Sequence, residues 1–357
     1  MDSLIDLRAE EYVALLANSN GSEELSAMSG VTSVQVDWSE FSYAPDATEF
    51  ATATDVFTTL PCVVVGTGTP AISGSTAIAD LSDVVVSSAE LDTFGAGLHR
   101  SLSATPYAAV TLAVLLRGSA KRTIAEGLVA ESVLYSLLQS GAEFQSWLAS
   151  RPDAALTPDQ GVAVLVERID DRLLVALNRP HRHNAFSSAM RDSLCEALEL
   201  GSLDPSIGVI ELTGRGPSFC SGGELAQFGT FATPVESHLT RLTRSPARLL
   251  AGLAAKATVH LHGACYGAGI ELPAFARHVT ADVGTRIKLP EIGLGLIPGA
   301  GGTVSLPGRI GRHRTALLAL SQEVITAETA LDWGLIDAIE NRPSESRPSK
   351  NRPPTAA

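Results

Sequence analysis

The stretch Gly-Ala-Gly-Ile-Glu (267–271) is followed by a longer glycine-rich stretch, Pro-Glu-Ile-Gly-Leu-Gly-Leu-Ile-Pro-Gly-Ala-Gly-Gly-Thr (290–303). A third glycine-rich stretch, Phe-Cys-Ser-Gly-Gly-Glu-Leu (219–225), lies upstream of both. The first two stretches carry Glu271 and Glu291. Together the three stretches predict one acid/base pair and two backbone groups that stabilise an oxyanion.

The physical basis is the turn that precedes a helix. The first backbone N–H groups of a helix have no partner within it, and the helix dipole adds partial positive charge there. Gly267 and Gly269 allow a ligand to approach the backbone around Ala268, and Gly222 with Gly223 does the same in the upstream loop. One such donor contributes about 2.7–4 kcal/mol to transition-state stabilisation. Two donors are therefore enough to hold a thioester oxygen.

Composition excludes several classes of protein. The chain has 357 residues, 45% of them apolar and 18% charged, which is typical of a globular protein with a substantial core. A formal charge of −13 disfavours nucleic acid as the main partner. The acidic N-terminus lacks the basic segment of a signal peptide, and no apolar run is long enough to span a bilayer. We therefore expect a cytoplasmic protein without a membrane partner.

The cysteines are also expected to be free thiols, as in a protein of the reducing cytoplasm. The four cysteines show no CxxC pairing, so neither a disulfide framework nor a zinc module is predicted. Cys220 and Cys265 lie near the proposed oxyanion loops, and we interpret them as small buried side chains. His260 and His262 alternate on one predicted strand without a third ligand at a helpful spacing, so no metal site is predicted.

Periodicity divides the chain into two halves. Residues 1–55 are mixed and polar, and the runs Cys62–Val65 and Val84–Val86 resemble strands. Residues 107–149 are predicted to form two amphipathic helices, with Leu112, Leu115 and Leu116 on one face of the first. For the second helix, an apolar stripe is predicted from Leu128, Val133, Leu137 and Leu138.

The turn-rich segment 151–161 is the predicted domain boundary. Beyond it, strands alternate with helices, as in an α/β layered domain. Strands are predicted at Arg172–Asn178, Val209–Gly214 and Thr258–His262, and helices at 186–200 and 268–278. The predicted domains are an accessory domain over 1–155, a core over 162–340 and a disordered tail over 341–357.

Four ordered motifs resemble those of the crotonase superfamily, the enoyl-CoA hydratases and isomerases. They are the Asn-Arg-Pro-His-Arg-His-Asn-Ala segment (178–185), the segment 219–225, the segment His262–Leu272 and the segment Leu289–Thr303. The resemblance covers roughly residues 165–340. It implies a crotonase-like spiral of ββα units, here with an N-terminal α/β accessory domain.

The resemblance also implies a function, the addition of water across the double bond of a 2-enoyl-CoA. Gly223 and Ala268 would supply the oxyanion hole through their backbone N–H groups. Glu271 would orient and deprotonate the water, and Glu291 would protonate the α-carbon. Because the two carboxyls are coupled, the pair is assigned more securely than either role.

Further residues are implied to contact the acyl-CoA thioester, whose CoA is carried as part of the substrate so that no separate cofactor is expected. They are His183, Ala185, Phe186, Ser221, Gly222, Glu224, Leu225, Tyr266, Gly267, Pro290 and Leu294. The phosphates could be bound by Arg179, by Arg182 or by the pair Lys121-Arg122, and the sequence does not decide among them. The family also implies a homo-oligomer, a trimer or a hexamer.

The chain departs from the family pattern at its C-terminal end, where the helices that usually follow 330–337 are absent. Residues 68–86 can be laid without gaps over the catalytic loop and helix, with Ala77 in the position of Glu271. Residues 123–138 resemble the missing trailing helices. We hypothesise a degenerate, non-catalytic crotonase-like half whose helices replace the missing ones. This hypothesis requires residues 107–149 to lie near the pocket of Glu271.

Three alternative interpretations stay open at the level of sequence. An isomerase or a thioester hydrolase could use the same scaffold, and a non-catalytic acyl-CoA-binding subunit is a third possibility. Gly66–Ala71 also fits a relaxed dinucleotide-binding fingerprint, with Glu90 at a suitable distance for a ribose. Pro70 and the lack of a clear following helix favour a structural turn there.

Overall fold

The computed structural model describes residues 4–18, 21–26, 29–39, 41, 46–68, 80–151, 161–230 and 233–340. The strands are β1 (Leu4–Arg8), β2 (Ser33–Asp37), β3 (Val63–Thr67), β4 (Val84–Val86), β5 (Val164–Ile169), β6 (Arg172–Leu177), β7 (Val209–Gly214), β8 (Ala257–Leu261), β9 (Ala264–Tyr266), β10 (His278–Ala281), β11 (Arg286–Lys288), β12 (Ile325–Thr326) and β13 (Ala338–Ile339). The helices are α1 (Ala9–Leu16), α2 (Gly21–Glu24), α3 (Ala47–Thr59), α4 (Ser88–Ala104), α5 (Pro106–Arg117), α6 (Ile124–Gln139), α7 (Ala142–Ser150), α8 (Ser188–Leu203), α9 (Pro234–Thr243), α10 (Pro246–Gly252), α11 (Ala268–Glu271), α12 (Gly302–Ser321) and α13 (Ala327–Asp332). None of the helices in these ranges is long and apolar enough to cross a membrane. Ala77, most of the predicted boundary and the predicted tail lie outside the described residues.

A four-stranded parallel sheet forms the start of the N-terminal half, in the order β1-β2-β3-β4. Its central strands are buried on both faces, which explains their valine-rich sequence. Trp38 donates from Nε1 to Ser82 Oγ at 3.0 Å, and Tyr12 donates to the Leu81 carbonyl at 2.8 Å. Residues 1–55, for which the sequence predicts no element, contain β1, α1, α2, β2 and part of α3.

A buried ion pair fastens helix α5 to this sheet. The guanidinium of Arg117 donates to both carboxylate oxygens of Asp83, at 2.8 and 2.7 Å. Its remaining hydrogen bonds go to the carbonyls of Phe57, Leu60 and Cys62. The two charged side chains are only 1% and 2% exposed. The side chain of Arg117 therefore connects Asp83, which directly precedes β4, to the loop after α3.

Residues 107–149 form three helices, α5, α6 and α7, rather than the predicted two. Leu112, Leu115 and Leu116 are buried, as the periodicity predicts. The stripe predicted for the second helix is wrong, because Val133 and Leu137 are 47% and 62% exposed. The buried face of α6 is instead small and polar, and it comprises Gly127, Glu131, Ser132, Ser136 and Leu138. This face of α6 is buried because it packs against α9 and α12 of the second half.

The second half is built on a six-stranded sheet in the order β13-β10-β8-β7-β6-β5. Strands β5 and β6 form an antiparallel hairpin, and the remaining neighbours are parallel. The strand predicted at Val209–Gly214 is confirmed, and those predicted from 172 and 258 end or begin within one residue of β6 and β8. The helix predicted at 268–278 is wrong in length. It ends at Glu271 because Pro273 lacks an N–H, and a 3-10 turn at Pro273–Phe275 follows.

The two halves pack along helix α12. Arg312 on α12 donates to the carbonyl of Ser82 at 2.7 Å, and Gln322 just beyond the helix donates to Ser101 Oγ at 2.7 Å. Helices α4, α5 and α6 all contact α12, and α6 also packs against α9. The N-terminal half therefore lies directly against α12, and its helices α4 and α7 also contact the 3-10 turn Glu291–Leu294.

Candidate active site

The turn between β9 and α11 places a backbone donor and a carboxylate side by side. Gly267 has φ 50° and ψ −120°, a conformation that favours glycine. Its N–H donates to the carbonyl of Lys288 at 3.0 Å, which joins the turn to β11. A Cβ at residue 267 would collide with Glu291 Oε1 and would lie 3.7 Å from Glu271 Oε1. Both carboxylates therefore face the same small space beside this turn.

The second donor lies in the loop that runs against β9. Cys220 pairs with Cys265 and Phe186 pairs with Gly223 as isolated parallel bridges. Gly222 has φ 95°, which turns the chain between these two bridges. Within the described part of the chain, the N–H groups of Gly223 and Ala268 donate no hydrogen bond, and both residues line one cavity. They are thus available to a ligand oxygen.

The loop 178–186 is held by buried polar contacts. The Asn184 side chain accepts from Arg179 N at 2.7 Å and donates to the carbonyls of Arg215 and Ser218. Arg179 is 4% exposed, and its guanidinium pairs with Glu224 at 3.0 Å. This ion pair argues against Arg179 as a phosphate ligand. Arg182 is exposed.

Glu271 is 2% exposed and is held by the start of helix α12. Its Oε2 accepts from the N–H groups of Ala300 and Gly302, at 2.7 and 2.9 Å. A Cβ at residue 302 would lie 2.6 Å from Glu271 Cγ, so glycine is required there for the carboxylate to reach the turn. Two hydrogen bonds on one oxygen leave Oε1 directed toward Gly267 and Glu291.

Glu291 begins a 3-10 turn, Glu291–Leu294, directly after Pro290. It is 9% exposed, and its Oε2 is buried without a hydrogen-bond partner in the described structure. Buried polar atoms nearly always have a partner, so an unpaired carboxyl oxygen in a cavity marks a place for water or substrate.

Burial is the main reason that both carboxyls hold their protons more tightly than usual. It raises the pKa of Glu271 well above its ordinary range, and the charges of Glu291 and Glu131 raise it further. It raises the pKa of Glu291 to about 8, again with a contribution from Glu131. Such shifts are typical of acid/base groups that work near neutral pH. Burial therefore favours the protonated form of both carboxyls.

A cavity of about 450 Å³ joins these groups. Of the residues predicted for the site, Phe186, Gly223, Glu224, Ala268, Glu271 and Glu291 line it. Nine predicted residues do not: His183, Ala185, Ser221, Gly222, Leu225, Tyr266, Gly267, Pro290 and Leu294. Several of these nine form the backbone of the two donor loops. The carbonyl of His183, for example, accepts a hydrogen bond from Ser221 N, and its ring bonds to Ser218 Oγ.

Helix α6 of the N-terminal half supplies a wall of the cavity that sequence reasoning missed. Glu131 accepts from Gly301 N, Thr303 N and Thr303 Oγ1, at 2.7, 2.9 and 2.7 Å. Tyr135 packs its ring on Gly299. Glu131 is the only charged residue of α6 beyond its capping residue Glu126, and this isolated charge in a largely apolar helix was the available sequence signal.

Arginines on the cavity wall were also missed. Arg241 from α9 stacks over Tyr135 at 4.5 Å and donates to Ser132 and Ser136 on α6. Arg191, Arg244 and Arg248 also line the cavity, and the last two are exposed. Neither residue of the pair Lys121-Arg122 lies on the lining, and Arg122 donates to the carbonyl of Leu115.

Helix α7 supports the loop that carries Gly223. Trp147 contacts Phe228 with ring centroids 5.9 Å apart, and the Phe228 ring lies directly against Gly223. Arg151 donates to the carbonyl of Leu225. Residues 107–149 therefore approach the pocket of Glu271, which the replacement hypothesis requires. The origin of this half as a degenerate repeat stays a hypothesis.

The site combines two coupled, buried carboxyls with two free backbone donors, and this is the arrangement of an acid/base enzyme that stabilises an oxyanion. A model of the enoyl-CoA hydratase/isomerase family matches residues 172–345. The chain is 35% identical over 176 residues to the 2,3-dehydroadipyl-CoA hydratase of Escherichia coli (strain K12). The alignment covers 49% of this chain and 68% of that protein. The chain belongs to the enoyl-CoA hydratase/isomerase family, the crotonases.

Two further similarities were found. The 1,2-epoxyphenylacetyl-CoA isomerase of the same organism is 34% identical over 168 residues, which is 46% of this chain and 64% of that protein. The chain thus spans about two thirds of the length of these two relatives. The crystal structure of enoyl-CoA hydratase from Thermoplasma volcanium GSS1 aligns with a TM-score of 0.47 at 30% identity, over 50% of this chain and 72% of that one.

His260 and His262 have hydrogen-bond partners, and the cysteines are buried free thiols. His260 bonds to Thr280 and Asp282 through its two ring nitrogens, and His262 bonds to the carbonyl of Gly216. The four cysteines are buried and unpaired. Burial raises the pKa of the Cys220 thiol to about 12, so it is a poor nucleophile at neutral pH.

Proposed function

We propose that this protein is an enoyl-CoA hydratase that adds water across the 2,3 double bond of a 2-enoyl-CoA thioester. The observation that carries the proposal is the shared space beside Gly267, which the carboxylates of Glu271 and Glu291 both face. The N–H groups of Gly223 and Ala268 open onto the same cavity. The name of the 35% identical relative, a dehydroadipyl-CoA hydratase, supports the same reaction.

In the proposed mechanism, the thioester oxygen accepts hydrogen bonds from Gly223 N and Ala268 N. These donors lower the energy of the enolate-like state that forms when the β-carbon is attacked. Glu271 orients a water and takes a proton from it as its oxygen bonds to the β-carbon. Glu291 delivers a proton to the α-carbon. One proton enters the pair and one leaves it, so the pair ends with its original number of protons.

The mechanism requires the starting proton to be on Glu291, and the hydrogen bonds of the two carboxyls support this requirement. Backbone N–H groups favour the ionised form of a carboxyl, and Glu271 Oε2 accepts two of them at the start of a helix. Glu291 Oε2 has no donor in the described structure. Burial and the charges of Glu291 and Glu131 oppose ionisation of Glu271. We infer that the two backbone hydrogen bonds on Glu271 Oε2 offset this effect, so that the pair starts as ionised Glu271 and protonated Glu291, the states that a base and an acid need.

The test is the loss of conjugated absorbance of crotonyl-CoA with the wild-type protein, Glu271→Gln and Glu291→Gln. Removing either acid/base group is expected to lower kcat by about 10²–10⁴. Glu196→Gln, a change of an exposed carboxylate on α8, controls for the loss of one negative charge. Wild-type turnover in either glutamine variant would defeat the mechanism.

An isomerase is the second candidate, and the 34% identity to an acyl-CoA isomerase favours it. An isomerase moves a proton without adding water. Reaction in H₂¹⁸O followed by mass spectrometry separates the two, because hydration adds one labelled oxygen to the product and isomerisation adds none. Binding of acyl-CoA without any turnover would instead indicate a non-catalytic subunit.

A further inference from the structure

A third carboxylate, that of Glu131, accepts hydrogen bonds from the same helix start as Glu271. Four consecutive backbone N–H groups, from residue 300 to residue 303, alternate between two acceptors. Those of Ala300 and Gly302 donate to Glu271, and those of Gly301 and Thr303 donate to Glu131. The two glutamates come from positions 140 residues apart in the chain (271 − 131), one in each half.

The contact between Glu131 and the turn 300–303 is buried and consists of several hydrogen bonds. Glu131 is 2% exposed, and both of its carboxylate oxygens accept a hydrogen bond from the backbone of the turn. Thr303 adds its hydroxyl at 2.7 Å. Gly127, one turn earlier on α6, packs so closely on Val304 that a Cβ there would lie 2.8 Å from a methyl carbon. Helix α6 is thus seated directly on the first turn of α12.

We propose that Glu131 is a positioning residue of the active site, which fixes the turn 300–303 so that its alternate N–H groups grip Glu271 and which keeps a negative charge beside the glutamate pair. The proposal rests on the proposed function for its kinetic readout. Glu131 does not touch the reacting atoms in this mechanism. It acts through the backbone of the turn and through its charge.

In the described part of the chain, four ionisable side chains lie near Glu131 and interact with it electrostatically. Glu271 faces it from α11 and Glu291 from the 3-10 turn, while Arg241 on α9 and Tyr135 on its own helix complete the group. Burial raises the pKa of Glu131 to about 7, against the opposing effect of its hydrogen bonds from Thr303 and Gly301. Its charge therefore develops around neutral pH, and it then opposes ionisation of Glu271 and Glu291.

Replacing Glu131 by Gln tests both parts. A glutamine offers one acceptor oxygen in place of two, so one buried N–H of the turn loses its acceptor and Glu271 is held less firmly. We expect kcat for crotonyl-CoA to fall about tenfold with little change in KM. Without the negative charge, both limbs of the kcat–pH profile should move to lower pH. A loss of kcat with an unchanged profile would overturn the charge role, and an unchanged kcat would overturn the positioning role.

A matched control is available in the same half. Glu143 also accepts two backbone N–H groups at a helix start, those of Tyr107 and Ala108, but it lies outside the cavity lining. Glu143→Gln should lower Tm without moving the pH profile. If Glu143→Gln moves the profile as Glu131→Gln does, the shift comes from general loosening and the proposal fails.

A second variant covers the case in which Glu131→Gln does not fold. Thr303→Val removes only the hydroxyl that donates to Glu131. Glu131 then keeps its proton to higher pH, so the profile should move in the same direction by a smaller amount. An unmoved profile in this variant would count against the proposal.

A readout without turnover separates this inference from the proposed function. In protein labelled with ¹³C at the glutamate carboxyls, the signals of Glu271 and Glu291 are assigned by their loss in Glu271→Gln and Glu291→Gln. Their titration should shift to lower pH in Glu131→Gln. If the wild type hydrates no enoyl-CoA, the proposed function fails, yet this titration still decides the role of Glu131.

Discussion

The carboxyl of Glu291 should make the folded protein less stable as pH rises, and Glu291→Gln should remove that dependence. In the unfolded chain this group titrates near its ordinary pKa of 4.5, whereas burial raises the folded-state pKa to about 8. The folded state therefore binds more protons than the unfolded state between these two values. Linkage then requires stability to be full below about pH 4.5 and to decline until about pH 8.

The size of the effect follows from the two pKa values. Each tenfold difference in proton affinity is worth about 1.4 kcal/mol. For a carboxyl with a pKa of 4.5 unfolded and about 8 folded, the cost to the folded wild type is about 1 kcal/mol at pH 5. It approaches about 5 kcal/mol above pH 8. A glutamine at 291 has a similar shape and never ionises, so it avoids the cost at every pH.

The assay is urea unfolding followed by tryptophan fluorescence, at pH 5 and at pH 8, for the wild type and Glu291→Gln. The variant should exceed the wild type in free energy of unfolding by about 1 kcal/mol at pH 5 and by about 4 kcal/mol at pH 8. Glu196→Gln again controls for the removal of one charge. A gap of equal size at the two pH values, or a variant less stable than the wild type at pH 8, would refute the reasoning. A variant that gains stability and loses hydration would show that this buried carboxyl is maintained for function.

Two further predictions concern the glycine at the start of α12 and the ion pair of the N-terminal half. Gly302→Ala would place a Cβ 2.6 Å from Glu271 Cγ, so the carboxylate must move away from the N–H groups of Ala300 and Gly302. Steady-state kinetics should show kcat lowered about 100-fold, and Tm should fall because these buried donors lose their acceptor. Arg117→Met leaves the buried Asp83 carboxylate without its partner, which should cost about 3–5 kcal/mol in urea unfolding. Arg117→Met combined with Asp83→Asn should recover most of that loss, and a double variant as unstable as the single one would contradict the ion-pair argument.

The sequence predicts those parts of the site that are local in the chain. The distance from Gly267 to Glu271 is one helical turn, so the motif itself determines that a donor and a carboxylate are neighbours. The same holds for Asn184, which closes a loop on Arg179 only five residues away. Such geometry depends on turn conformations that particular residues impose, and a sequence motif records it directly.

Contacts between distant segments are recorded much less clearly. The stripe predicted on α6 failed because an apolar helix can bury more than one face, and the partner decides which. Here the partners are Arg241 and the turn 300–303, and they select the face with Glu131, Ser132 and Ser136. The isolated charge of Glu131 is a signal within residues 124–139, but it does not specify that its donors are amides more than 160 residues away.

The alternation at residues 300–303 gives a physical reason to expect that residues 162–340 depend on the N-terminal half, whatever the origin of that half. A helix start leaves N–H groups without partners, and this one is buried in the protein. Glu271 satisfies only Ala300 and Gly302, so without Glu131 the N–H groups of Gly301 and Thr303 would lose the acceptors they have here. An unpaired buried donor costs about 1–3 kcal/mol. Residues 162–340 alone would therefore carry both proposed catalytic glutamates and the two proposed oxyanion donors, but the turn that orients Glu271 would be destabilised. The same turn donates both sets of hydrogen bonds. Loss of Glu131 should therefore loosen the hold on Glu271, even though the two side chains come from opposite halves of the chain.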